Sequence, residues 1–588
     1  MYTDLSKSYK KEECIMKTKK VVALMLAAAM AFSLTACGSG DTKKKEGDSK
    51  TENDGAELTK DDEQYVNTYI GAEPTTLDPS VRSDTYSSEL LINCMEGLIR
   101  MEQRDGEYQA MPGDAESWET SEDGTVWTFH LGEDRKWSDG EPITAEQYVY
   151  SLQRSADPAT GCPNTYFLQP ILNYDAIGKG EMDPSELGVK AVDEHTLEIT
   201  LTAAMPSFLE STNASIFYPQ RQDYVEKYGD QYGSDVETMV YNGPFKMDSW
   251  VHNSSVEIVK NDQYWDAENV DLEKVNYQIL SDTTTIANAY DSGQIDYIAV
   301  SSAEEVQKYE ADPDSVYTKV SGGTITFYFY NTEDKVFSNE KIRKAFTLAM
   351  DQDDMNEMAF GGLREPLYGW IASALSVEET SMRDVAGDVI LEQQKELEDE
   401  GKTAKDVLIE GMEELGLGSD PAKLDVTFSL AGTTDWYRTL GEYIQQAYKE
   451  SLGIDLKIDF SEWGIFSDNL TNGNYQIGFM GWGAYFNDPY DMLSLHISEN
   501  NMLSTNWSNE EYDKLVKAGV VELDPEKRMQ DYVDAERILM DNYVTCPIAT
   551  SVTHSFTKSF LHDKYAEYGQ DNLYFISPGW KNVYTSGR

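Results

Sequence analysis

Histidine and cysteine are scarce in this chain, with six and five among 588 residues. No histidines pair at metal-ligand spacing, and there is no C-x-x-C or Cys/His cluster, which argues against a transition-metal site of that type. Basic residues are also few, 48 Lys and Arg against 105 Asp and Glu, for a net charge of −57. Such a surface repels a phosphate backbone, so nucleic acid is not an expected partner. Catalytic signatures are missing too. There is no G-x-S-x-G, no H-E-x-x-H and no glycine-rich phosphate loop. Ser555–Lys558 spells S-x-x-K and Ser467–Asn469 spells S-D-N, as in penicillin-binding enzymes. Their order is reversed, however, and no K-T-G follows. With so many acids, any carboxylate pair is uninformative. The chain is therefore read as non-enzymatic and free of cofactors, with a secreted hydrolase resting on Ser555 as the outsider.

What is present is enough apolar material for several cores, 40% hydrophobic and 11% aromatic. Acid interspersed with Trp and Tyr suits a solvated shell on a folded protein rather than disorder. Near the N-terminus, "MKTKKVVALMLAAAMAFSLTACGSG" from Met16 has three lysines, an apolar run from Val21 to Leu34 and small residues around Cys37. That is the pattern of a secretory leader, too short for a membrane span. The ending "LTAC" is similar to a bacterial lipobox, which makes Cys37 the expected lipidation site. Met1–Ile15 fits no leader, so translation is expected to begin at Met16. "GSGDTKKKEGDSKTENDG" reads as a flexible polar tether. Beyond the leader and Cys37 only Cys94, Cys162 and Cys546 are left, an odd number that allows at most one disulfide.

Periodicity then alternates strands with helices. "SELLINCMEGLIR" reads as an amphipathic helix and "TAEQYVYSLQRSAD" as a helix with a Thr144/Gln147 capping box. "DEHTLEITL" alternates as a half-buried strand should. "DTTTIANAYDSGQIDYI" predicts helix, glycine stop and strand; "TITFYFYN" predicts an aromatic strand and "NEKIRKAFTLAMDQDDM" a helix. One acidic helical stretch is expected over 384–417. The strand "KLDVTFSL", helix "DWYRTLGEYIQQAYKESLG" and strand "IDLKIDF" follow. The fold class is α/β.

The segment "IGFMGWGAYFNDPYDML" is uncharged until Asp488. Gly478, Gly481 and Gly483 would weaken a strand that only had to fill a core, but glycine lets another backbone approach closely. A peptide ligand could add as a strand there, bound through its main chain. Glycines tolerated at a tight lobe interface are the alternative.

Motifs in fixed order carry a family resemblance: "AEPTTLDP", "MEGLIR", "KWSDGEPITAEQYVYS", "NGPFKMDSW", "NDQYWD", "FSNEKIRKAFTLAMD" and "GWGAYFNDP". From about Gln64 onward the chain resembles the oligopeptide-binding proteins of ABC importers, in the peptide/nickel class of solute-binding proteins. The resemblance implies a two-lobed, periplasmic-binding-protein-like receptor with mixed sheets and hinge strands, plus a domain appended to the N-terminal lobe. The expected layout is leader 1–36, tether 37–62, lobe I from 63–97, 221–323 and 550–588, appended domain 98–220, and lobe II 324–549. The chain would cross between lobes near Thr324 and Thr550. Expected partners are an oligopeptide and an ABC permease and ATPase. The receptor is expected to be a monomer, lipid-anchored at the outer face of the bacterial cytoplasmic membrane.

The same resemblance implies the ligand-binding residues. Gly481, Trp482 and Gly483 match the segment that pairs with the peptide, and Trp463 matches a pocket tryptophan. Ser83 and Thr85 match a second pairing strand, Asn164 the reach of the appended domain, and Asn500, with its neighbour Asn501, a polar contact. Three charges depart from the pattern. Tyr485 stands where members hold the ligand amine with an aspartate, Phe479 where some carry arginine, and Phe329 at an acidic pocket position. These losses predict a changed ligand, either a longer peptide or a non-peptide solute such as an oligosaccharide, since Tyr485, Trp482, Trp463 and Tyr330 could also stack on sugar rings. Under the family plan Cys94 and Cys546 both lie in or near the N-terminal lobe, where a bridge is conceivable.

Overall fold

A computed structural model describes residues 58–104, 107–500, 502–564 and 579–588. The predicted leader, Cys37 and most of the tether lie outside these residues. The described chain is a mixed α/β protein with three principal sheets.

Two sheets are four-stranded. In the first, β1 (Tyr65–Ile70) runs parallel to β8 (Lys274–Ile279), followed by β7 (Ser255–Lys260) and β6 (Phe245–Val251). In the second the order is β2 (Ala115–Thr120), β3 (Val126–Leu131), β5 (Thr196–Thr200), β4 (Val189–Asp193). Strands β1, β3 and β5 alternate buried with half-buried residues, as one-sided cover requires. The helix Ala145–Ala156 begins with the predicted Thr144–Gln147 capping box. One continuous core runs through both sheets, from Val66 and Leu90 to Tyr148, Leu197, Phe245 and Tyr277.

The third sheet has seven strands. Its main path is β9 (Tyr297–Val300), β14 (Thr545–Lys558), β10 (Ser315–Tyr330), β13 (Ile477–Gly483), β11 (Thr427–Leu430) and β12 (Lys457–Phe460), with Glu365–Pro366 added to β14. The long strands β10 and β14 link two further cores. Around the N-terminal half of β10, Ile286, Tyr290, Tyr309 and Phe556 form a small one. Around its C-terminal half lies the largest, from Ile325, Phe327 and Tyr328 to Phe428, Tyr448 and Cys546. Between them, Gly322, Gly323 and Thr324 face only Ser551, so the β10–β14 register breaks there. That irregularity falls beside the Thr324 and Thr550 crossings implied by the resemblance.

Several expectations change. The helix read from "SELLINCMEGLIR" starts earlier and spans only Thr85–Cys94, capped by the Asp84 side chain on Ser87 N. The chain then turns and Ile99–Arg104 is a strand. The acidic stretch is three helices, Met382–Ala386, Val389–Asp399 and Ala404–Glu414, because Gly387 and Gly401 have positive φ and Thr403 starts a new capping box. Cys546 lies in the large core and Cys94 in the core of the two smaller sheets, so they form no bridge; both are free. Ser555 is buried inside β14, and Lys558, an odd number of residues on, lies over the Tyr290 ring. The two therefore face opposite sides of a strand, and no S-x-x-K nucleophile is assembled. Among the described residues no helix is long and apolar enough to cross a membrane.

Candidate ligand-binding site

The site is built from the end of β13. On one side β13 pairs with β10 along its whole length, Ile477 to Gly483. On the other it pairs with β11 only from Ile477 to Phe479, because β11 stops at Leu430. From Met480 to Gly483 the second edge has no strand partner among the described residues.

Which groups face that edge follows from the ladder. Gln476 O and Ala484 N bond β10, through Asn331 N at 3.0 Å and Gly323 O at 3.1 Å. Backbone groups of alternate residues point to one side, so even-numbered residues of β13 face β10 and odd-numbered ones face away. Ile477 and Phe479 therefore serve β11, and Gly481 and Gly483 turn their N–H and C=O to the open edge. Strands β11, β12 and β13 run parallel, and this edge lies beyond the carboxyl end of β11, where open α/β sheets take ligands.

The glycines have different causes. A Cβ on Gly478 would lie 2.6 Å from the buried Phe329 ring, so that glycine is required by the core. A Cβ on Gly481 would meet nothing closer than Ile325 O at 3.4 Å, and the residue is exposed. Among the described residues no packing contact demands glycine there.

Past Gly483 the chain turns through Asp488, the N-cap of the helix Pro489–Leu493, whose carboxylate pairs with Arg528. Tyr485 N donates to Asp491 Oδ2 at 2.6 Å. Burial pushes the Asp491 carboxyl up to about 7. An ordinary aspartate titrates near 4. A raised folded pKa means that ionisation opposes folding, so stability falls as pH rises from about 4 towards 7 and stays low above it. Asp491→Asn keeps an acceptor for Tyr485 N and cannot ionise. Its melting temperature should exceed wild type by a few degrees at pH 8 and by much less at pH 5; an equal difference at both would show that Asp491 does not titrate in this range.

The Tyr485 ring lies 4.4 Å from Tyr166, 6.5 Å from Phe167 and 6.3 Å from Trp482, the last edge-on at 88°. The Trp482 indole N–H is buried without a hydrogen-bond partner among the described residues. Asn164, two residues before Tyr166, donates to Arg82 O at 3.0 Å. The structure thus links Asn164 and the Ser83 neighbourhood to Tyr485, Trp482 and the open edge. Ser83 and Thr85 are exposed, but Thr85 opens a helix and neither belongs to a strand, contrary to the expected second pairing strand. Trp463 is 56% exposed as the first residue of the helix Trp463–Thr471, just past the carboxyl end of β12. Thr433 after β11 donates to Glu462 at 2.7 Å, joining the loops at this end of the sheet.

Two predicted contacts are corrected. Phe329 is fully buried, its ring against Phe327 and Tyr475. Tyr330 is also fully buried, its hydroxyl 3.0 Å from Thr347 Oγ1. Neither can touch a ligand, because both side chains are enclosed in the large core. Asn500 closes a short 3₁₀ turn, and its side chain, like all of Asn501, lies outside the described residues. Sequence reasoning missed Tyr166, Phe167, Asp491 and Arg364, whose guanidinium donates to Thr326 Oγ1 beside the open edge. Only "NTYF" beside Asn164 offered a signal.

Residues 109–504 match the bacterial extracellular solute-binding proteins, family 5, middle region. The chain belongs to that family. It is 30% identical over 576 residues to the oligopeptide-binding protein OppA of Bacillus subtilis, covering 97% of this chain and 98% of that protein. It is 31% identical over 536 residues to the dipeptide-binding protein DppE of the same organism, covering 90% and 94%. A solved structure of the periplasmic murein tripeptide-binding protein MppA, in its unliganded open form, superposes with a TM-score of 0.74 at 25% identity, covering 90% of this chain and 99% of that one. The family is a solute-binding, extracytoplasmic class with a two-lobed fold, and the sheets described above are those of a family 5 receptor.

Proposed function

We propose that this family 5 receptor captures oligopeptides by strand addition to Met480–Gly483 and delivers them to the permease and ATPase of an ABC importer. The observation that carries the reading is the open edge itself, with Gly481 and Gly483 turning their backbone groups outward. A peptide brings complementary donors and acceptors at the matching repeat, and main-chain pairing tolerates varied side chains. The relatives named for dipeptides and oligopeptides support it. Hinge closure would occur at the register break around Gly322–Thr324, between lobes laid out as the sequence predicts, and Cys37 would carry the lipid anchor. No bond of the ligand is made or broken in this reading, and the receptor acts as a monomer.

An oligosaccharide is the second reading, favoured by the aromatic group Trp463, Trp482 and Tyr485 and by the lack of an aspartate at position 485. Native mass spectrometry of the chain from Gly38 onward, followed by denaturation and sequencing of what is released, separates the two. Mixed peptides are the expected result. Sugar, or an empty protein that in calorimetry binds oligosaccharides and no peptide, overturns it.

A further inference from the structure

Arg364 stands out among the part-buried and buried guanidinium groups. Arg100, Arg154, Arg383 and Arg528 each pair with a carboxylate, of Glu96, Asp78, Glu536 and Asp488. Arg343 donates to the carbonyls of Phe337, Asn542 and Tyr543. Arg82 donates to Ser215 Oγ and is enclosed in the core of the smaller sheets. Arg364 is half-buried, its guanidinium 4.2 Å from the centre of the Phe360 ring, with the Thr326 hydroxyl as its side-chain acceptor. The adjacent acid is engaged elsewhere: Glu365 accepts from Ser321 and pairs with Lys319 at 3.1 Å. No carboxylate lies within ion-pair distance of Arg364 among the described residues.

Its position matters as much as its lack of a counter-ion. Thr326 and Gly481 are directly opposed across β10 and β13, so they share a face of the sheet. A Cβ on Gly481 would point to within 4.0 Å of the Thr326 Oγ1 that receives Arg364. The missing side chain of Gly481 therefore leaves a clear approach from the open edge to the guanidinium. Burial lowers the Arg364 pKa, which reflects the cost of holding its charge there without an anion.

We infer that Arg364 anchors a carboxylate of the bound ligand, at a subsite opened by the absent side chain of Gly481. This rests on the peptide reading above. A guanidinium fork on an aromatic face is preorganised for a planar carboxylate, and a part-desolvated pair of this kind binds more strongly than one in open water. The anchor would replace, at a different point of the site, the ion pair lost where Phe479 stands for arginine.

The test uses calorimetry with alanine peptides of three to eight residues, each as free acid, as C-terminal amide, and as amide with one internal glutamate. Wild type should bind the free acid at least tenfold more tightly than the plain amide if the carboxylate is the terminal one. If it is a side chain, the glutamate peptide should regain the affinity instead. In Arg364→Gln either gap should close, and Arg364→Lys should keep part of it; melting curves confirm that both variants fold. The comparison of ligands on wild type needs no variant. Equal wild-type affinities for all three peptides, or a gap that persists in Arg364→Gln, would overturn the anchor and leave the peptide receptor standing. No binding to any peptide would overturn the receptor reading and the anchor with it.

Discussion

Gly481→Pro is expected to lose roughly tenfold to a hundredfold in peptide affinity while melting at about the wild-type temperature. The Gly481 N–H points away from β10 and serves no backbone partner within the described chain, so a pyrrolidine ring there removes no ladder bond. Proline is tolerated on edge strands when its nitrogen faces outward. An added peptide strand would lose a donor and meet the ring. Leaving a buried acceptor unpaired costs about 1–3 kcal/mol, which is the stated range in affinity. Gly478→Ala makes the opposite control, because its Cβ would press on the Phe329 ring inside the core. That change should lower stability by about 1–3 kcal/mol through overpacking, and affinity much less. Calorimetry beside thermal melting checks both. Unchanged affinity in the proline variant would mean that ligands do not use this edge.

Part of the geometry of this candidate site is legible in the sequence. The glycine and tryptophan pattern of residues 477–485 pointed to a strand approached by another backbone, and this strand does end in an open edge. What could not be read was why the edge is open. It depends on β11 ending at Leu430, level with Phe479, and the sequence after Leu430 gives no sign of that register. Nor could "TITFYFYN" reveal which aromatics face the ligand. Covered on both faces, the strand alternates chemically without alternating in exposure, so Phe329 and Tyr330 read as pocket residues and proved to be core. Local signals fared better. The Thr144 capping box formed as spelled, and Gly387, Gly401 and Thr403 carried the breaks that divide the acidic stretch, although their summed helical pattern hid them. Arg364 is the hardest case. It is 38 residues from Thr326, and only the path of two intervening helices, Glu340–Leu348 and Gln352–Phe360, brings the two together.

Among the buried ion pairs of the scaffold behind this edge, Arg383–Glu536 is the one whose loss should have the largest effect on stability. Glu536, in the helix Pro525–Asp541, is wholly buried. Both of its oxygens accept from Arg383, at 2.8 and 2.7 Å, and one also accepts from Ile371 N at 2.9 Å. Gly369 lies directly against the guanidinium, where any Cβ would collide with it. Arg383→Ala would leave the carboxylate without its cation in a site that water does not reach. Breaking one side of such a pair costs about 3–5 kcal/mol. The double variant Arg383→Met/Glu536→Met removes both charges at similar volume and should recover much of the loss. Denaturant unfolding at neutral pH checks all three chains. A deficit in Arg383→Ala that is unrelieved in the double variant would mean that the arginine acts by filling space above Gly369, and that its charge contributes little.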